Sequence, residues 1–99
     1  MVAIKTQIDV EADNLADATI EGTRISVFQI VESHYYLEQS LDYIADAFNL
    51  SLAQIHTALA FYHEHKESFD QAVLDYYKEN DPEFVPQVIK RMQQFGHRL

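Results

Sequence analysis

The stretch Ile20-Glu21-Gly22-Thr23-Arg24-Ile25-Ser26-Val27 constrains the fold of this 99-residue chain more than any other. Gly22 is one of two glycines. It stands where a turn needs a positive φ, a conformation that other residues adopt only at a cost. Ser26 follows, with Gln29 at the spacing of a capping box. The stretch therefore reads as a glycine turn running straight into a capped helix. The next two helical segments, 40–48 and 51–65, are separated by Asn49 and Leu50 alone. A short helix, a tight turn and a longer helix outline a helix-turn-helix unit. That outline points to recognition or regulation rather than catalysis.

The caps define the helices. Ser51 with Gln54, and Ser68 with Gln71, repeat the box spacing of Ser26 with Gln29. Ile25 with Ile30, and Leu50 with Ile55, are placed as hydrophobic staples. Ser40 opens another helix with Asp42 in its first turn, favourable against the helix dipole. Behind the caps run apolar stripes of helical period. These comprise Val27, Ile30 and Val31 with part of His34; Leu41, Ile44, Ala45 and Phe48; and Leu52, Ile55, Leu59 and Tyr62. The stripe resumes at Phe69, Val73 and Tyr76. The cap at Ser68 predicts a kink or break near Lys66. Asn80-Asp81-Pro82 ends this region, because the residue before proline disfavours helical angles. Val85, Val88, Ile89, Met92 and Phe95 form a last amphipathic helix, with Gly96 as its stop.

Ahead of the helices, Val2, Ile4, Thr6, Ile8 and Val10 alternate with more polar residues, the period of a half-buried strand. Ala18-Thr19-Ile20 supplies a short second strand. Two strands alone are marginal in water, so this ribbon is expected to lie on the helices or to pair with a second chain. The organisation expected is a single domain over 1–83, with a β ribbon in 2–20 and a helical core in 26–80. The C-terminal amphipathic helix or tail spans 84–99.

The apolar fraction of 47% favours a folded core. The absence of cysteine excludes disulfides, thiolate metal sites and cysteine nucleophiles. The N-terminal residues lack the apolar run of a signal peptide. No segment approaches the roughly 18 apolar residues of a membrane span. A soluble, cytoplasmic protein with no membrane partner is expected. The net charge of −9 is uneven: residues 1–83 carry −12, whereas residues 84–99 carry +3 from Lys90, Arg91 and Arg98. The body repels nucleic acid at long range, and the tail has the character of a segment with its own partner.

With these residues in view, the chain resembles the domain-of-unknown-function family 433, a group of small antitoxin-like proteins, from about Ile20 to about Asp70. The resemblance rests on Ile20 to Val27, the Ser40 helix start and the run from Leu50 to His65. Two departures stand out. Ala16-Asp17-Ala18-Thr19-Ile20 replaces a glycine and proline before the Gly-Thr-Arg core, and Gln39 replaces a glycine before the second helix. The resemblance implies a mainly α fold: a three-helix, homeodomain-like helix-turn-helix core behind a small N-terminal β element, here with additional C-terminal helices. It further implies a role beside a toxin, typically a small PIN-like nuclease that the antitoxin binds and silences.

Candidate sites follow from chemistry and position. For a protein partner, the tail offers Val88, Met92 and Phe95 as an apolar stripe, with Lys90, Arg91 and Arg98 as its charges. The stripe could equally fold back on the acidic body. For DNA, the candidates are Arg24 in the turn and Ser51, Gln54, His56 and Thr57 at the start of the third helix. Arg24 has a plainer alternative as a local partner of the turn, and Gln54 already serves a cap. No lysine or arginine occurs from Glu32 to His65, so DNA binding is disfavoured by the acidic surface. His56, His63, Glu64, His65 and Glu67 do not supply the convergent ligands of a zinc site from one helix. No catalytic residue, metal site or cofactor is expected. The adjacent pairs Tyr35-Tyr36, Phe61-Tyr62 and Tyr76-Tyr77 each leave one ring off the core face, which suits a homodimer or partner interface. The reading is a non-enzymatic antitoxin-like protein that binds and neutralises a small nuclease toxin, with a helix-turn-helix DNA-binding transcriptional regulator, acting on its own operator among other sites, as the alternative.

Overall fold

In the computed structural model, which describes residues 8–10 and 17–96, the glycine turn forms as the sequence predicts. Gly22 has φ +81°. Thr23 closes the turn by donating from Oγ1 to the Ile20 carbonyl at 2.8 Å and accepting from the Ile25 amide at 3.0 Å. The backbone returns alongside itself, with the Ile20 amide on the Ile25 carbonyl at 2.9 Å and the Val27 amide on the Ala18 carbonyl at 2.8 Å. Strand β1 (Ile8–Asp9) pairs antiparallel with β2 (Thr19–Ile20), Ile8 opposite Ile20. Ile20 is buried and Ile8 packs on the core, but Val10, just past the pairing, is exposed. The expected strand positions Val2, Ile4 and Thr6 lie outside the described residues.

Helix α1 (Val27–Val31) starts at Ser26 with both halves of its capping box formed. It runs into a π-helical turn over Glu32–Tyr36, with the Leu37 amide bonded to the Glu32 carbonyl at 2.9 Å. This wider turn leaves both Ser33 and Tyr36 buried. Helix α2 (Leu41–Phe48) is capped by Ser40 and ended by Asn49 in the left-handed region. Helix α3 (Leu52–Glu64) begins at Ser51 with its capping box complete. Both staple pairs join the core, Ile25 in part and Ile30, Leu50 and Ile55 buried. Leu52, expected in the stripe, is 44% exposed at the first helical position. Ala58 takes a buried place between Ile55 and Leu59.

The chain breaks at His65 (φ −128°, ψ 36°), and α4 covers Lys66–Asn80. The break near Lys66 is there, but Ser68 does not cap it. Ser68 lies inside α4, and Gln71 bonds Asp75 at 3.0 Å instead. Starting the helix earlier sets Lys66 one turn before Asp70, to which it pairs. It also shifts the buried face to Phe69, Val73 and Tyr77, leaving Tyr76 44% exposed. A short 3-10 turn at Pro82–Phe84 leads into α5 (Val85–Gly96). Helix α1 packs on α3, and α5 packs on α4 and the π turn. One apolar cluster runs from Ala18 and Ile20 through the helices to Val88. The molecule is thus a helical core with a small N-terminal β element, as expected. Among the described residues, no helix is long and apolar enough to cross a membrane.

Candidate functional site

Helix α5 is seated from within. Val88 is 0% exposed, and Met92 is partly buried against the same cluster. The Phe84 ring leans on Tyr77 at 5.1 Å. Arg91 donates to Glu38, in the segment between the π turn and α2, and the two form an ion pair. Of the tail candidates, Lys90 is exposed to solvent. The Phe95 side chain and Arg98 lie outside the described residues. The structure therefore directs Val88, Met92 and Arg91 to the chain's own body. The open face of α5 carries Lys90 and a half-exposed Ile89.

The start of α3 is equally engaged by its own backbone. The Gln54 amide donates to Ser51 Oγ at 3.1 Å, and the Ser51 amide donates to Gln54 Oε1 at 2.8 Å. Thr57 Oγ1 donates to the Ala53 carbonyl at 2.9 Å. His56 and, in the turn, Arg24 remain exposed. Thr23 rather than Arg24 holds that turn. His63 meets the Tyr35 hydroxyl through Nε2 at 2.8 Å, and the His65 ring lies on Phe61 at 4.6 Å. Among the described residues, no three metal-ligating side chains converge.

Buried tyrosines tie the helices together. Tyr62 Oη donates to Asp70 Oδ1 at 2.7 Å, joining α3 to α4 across the His65 break. Lys66 holds the other oxygen of the same carboxylate. Tyr77 donates to Glu32, joining α4 to the π turn. Burial raises the Tyr62 and Tyr77 hydroxyls well above the usual phenol range, and the carboxylate that each donates to adds to the effect. Tyr36 is raised by burial first, then by Asp70.

Residue-by-residue reading of the sequence missed an open cleft of about 1130 Å³ between α4 and the start of α1. Its apolar part includes Phe28, Ala72, Leu74 and Tyr76. Phe28 and Tyr76 meet edge to face at 5.6 Å. Glu67, Asp75 and Glu79 recur along its α4 wall, and among the described residues no lysine, arginine or histidine lines it. The placing of these acids at multiples of four along α4 was visible in the sequence, but the pairing of that face with Phe28 required the tertiary fold.

Residues 16–62 match the model of a family described as "Protein of unknown function (DUF433)". No curated protein and no solved structure matches the chain. The match spans the glycine turn, α1, α2 and nearly all of α3, and it ends before α4 and α5. Over residues 16–62, just under half of its length, the chain is similar to the DUF433 family that its glycine turn and helix starts resemble.

Proposed function

We propose that this chain is a non-enzymatic, cytoplasmic protein-binding module of the antitoxin type. It acts as a homodimer that occludes a small PIN-like nuclease. The observation that carries this reading is the composition of the α1–α3 surface. No lysine or arginine occurs from Ile25 to His65, and Ser51, Gln54 and Thr57 are bonded to their own helix. Phosphate neutralisation supplies most non-specific nucleic-acid affinity, and this surface has no cation to supply it. An enzyme that cuts RNA must hold a polyanion, so it presents a cationic groove that an acidic surface complements. The helix-turn-helix outline of α2 and α3 then serves as a scaffold.

The test is fluorescence anisotropy of a labelled random-sequence duplex against the full chain at low salt. The account predicts no saturable binding. A complex whose affinity falls steeply with salt would contradict it. Such a result would favour the second reading, a DNA-binding regulator reaching with Arg24 and His56.

A further inference from the structure

The geometry points to the cleft between α4 and Phe28 as a docking groove for a short cationic, amphipathic peptide segment of a partner protein, bearing arginine or lysine beside aliphatic side chains. Three properties of the groove select that occupant. Its apolar floor, Phe28, Ala72 and Leu74 with the ring of Tyr76, offers burial to aliphatic carbons. Tyr76 is 44% exposed, so part of its ring is open to a guanidinium or ammonium, which aromatic faces attract. The α4 wall carries Glu67, Asp75 and Glu79, and among the described residues no basic side chain lines the cleft, so an anionic or purely apolar occupant is disfavoured.

The carboxylates differ in availability. Asp70 is engaged by Tyr62 and Lys66. Asp75 accepts from the neutral amide of Gln71, which leaves its charge uncompensated by that contact. From Glu67 to Glu79, α4 rises about 18 Å at ~1.5 Å per residue. An extended segment of roughly six residues at ~3.3 Å each spans that length. Alternate side chains of such a segment point to opposite sides, so one set can face the aromatic floor while the other meets the carboxylates. The α4 wall lies outside the family match at 16–62, whereas Phe28 lies within it.

The test uses the full chain and a synthetic acetylated peptide of alternating arginine and leucine, read by calorimetry and by amide shift mapping. The expected result is saturable binding, with shifts centred on Phe28 and residues 67–79. Binding should weaken about tenfold or more, equivalent to ~1.4 kcal/mol, in the triple variant Glu67→Gln, Asp75→Asn, Glu79→Gln. Phe28→Ala should also weaken it. A control removing the same charge elsewhere, Asp42→Asn, Asp46→Asn, Glu64→Gln, should bind as the parent does. Failure of the peptide to bind would overturn the inference. So would equal loss in the control variant, or shifts spread over α2 and α3, because either identifies general attraction to an acidic protein. The result is separate from the antitoxin reading: a chain that takes the peptide but silences no nuclease keeps the groove and loses that reading.

Discussion

Gly22 adopts φ +81° with open space where a Cβ would sit, so its role is conformational and not steric. Gly22→Ala should cost about 1–2 kcal/mol, the penalty for a side chain in the left-handed region, and Gly22→Asn should cost less; urea denaturation checks both. Glu38 shows the opposite choice, a non-glycine residue at φ +58° whose side chain pairs with Arg91. An exposed pair of this kind contributes about 0–1 kcal/mol. Glu38→Gln should therefore destabilise slightly by losing the pair and keeping the strain, while Glu38→Gly should recover up to ~1 kcal/mol relative to it. The resemblance set a glycine at the neighbouring Gln39, but the left-handed position is Glu38.

The buried tyrosines predict the alkaline limit of stability. Tyr36, Tyr62 and Tyr77 hold their protons in the native state to higher pH than in the unfolded chain. Below the ordinary phenol range the two states bind equal numbers of protons, and the full contribution is present. Above about pH 10 the unfolded state loses protons first, so stability falls as pH rises, by up to ~1.4 kcal/mol per pH unit for each such tyrosine. Urea midpoints at successive alkaline pH values should drop in step. Tyr62→Phe should make the slope shallower, whereas an unchanged slope would contradict the assignment.

At the scale of elements, the caps were the most legible part of the chain. Ser26, Ser40 and Ser51 all cap as read, because a side chain bonding three residues ahead is a local event. Ser51→Ala should cost about 1 kcal/mol. Ser68 had the same spacing and does not cap, because burial of Phe69, Val73 and Tyr77 and the pairing of Lys66 with Asp70 start α4 earlier. Tertiary packing outweighs local propensity there. The π turn at Glu32–Tyr36 was illegible for the same reason: it leaves Tyr36 buried, a consequence of the assembled core. The cleft joins residues far apart in the chain, so neither its floor nor its occupant could be read along the sequence. Helix α5 is anchored chiefly by Val88, and Val88→Ala should cost about 2 kcal/mol for two buried carbons plus the cavity left behind. Limited proteolysis near Pro86 should accelerate in that variant; an unchanged cleavage rate would mean that α5 is held elsewhere.

At the scale of the whole molecule, charge organises the structure. An acidic body carries its excess of basic side chains in the last sixteen residues, and the helix that holds Lys90 and Arg91 is folded onto that body through Val88 and Glu38. Among the described residues the charge presented outward is therefore mostly carboxylate, which on the proposed reading suits a cationic protein rather than nucleic acid. The most direct measurement is to capture partners of the full chain from source-cell lysate, then titrate the RNA-cleaving activity of any captured nuclease with purified chain. The account predicts a small basic nuclease whose activity falls to zero at one chain per active site. A captured nuclease that stays fully active in excess chain, or a capture that yields no nuclease, would contradict it.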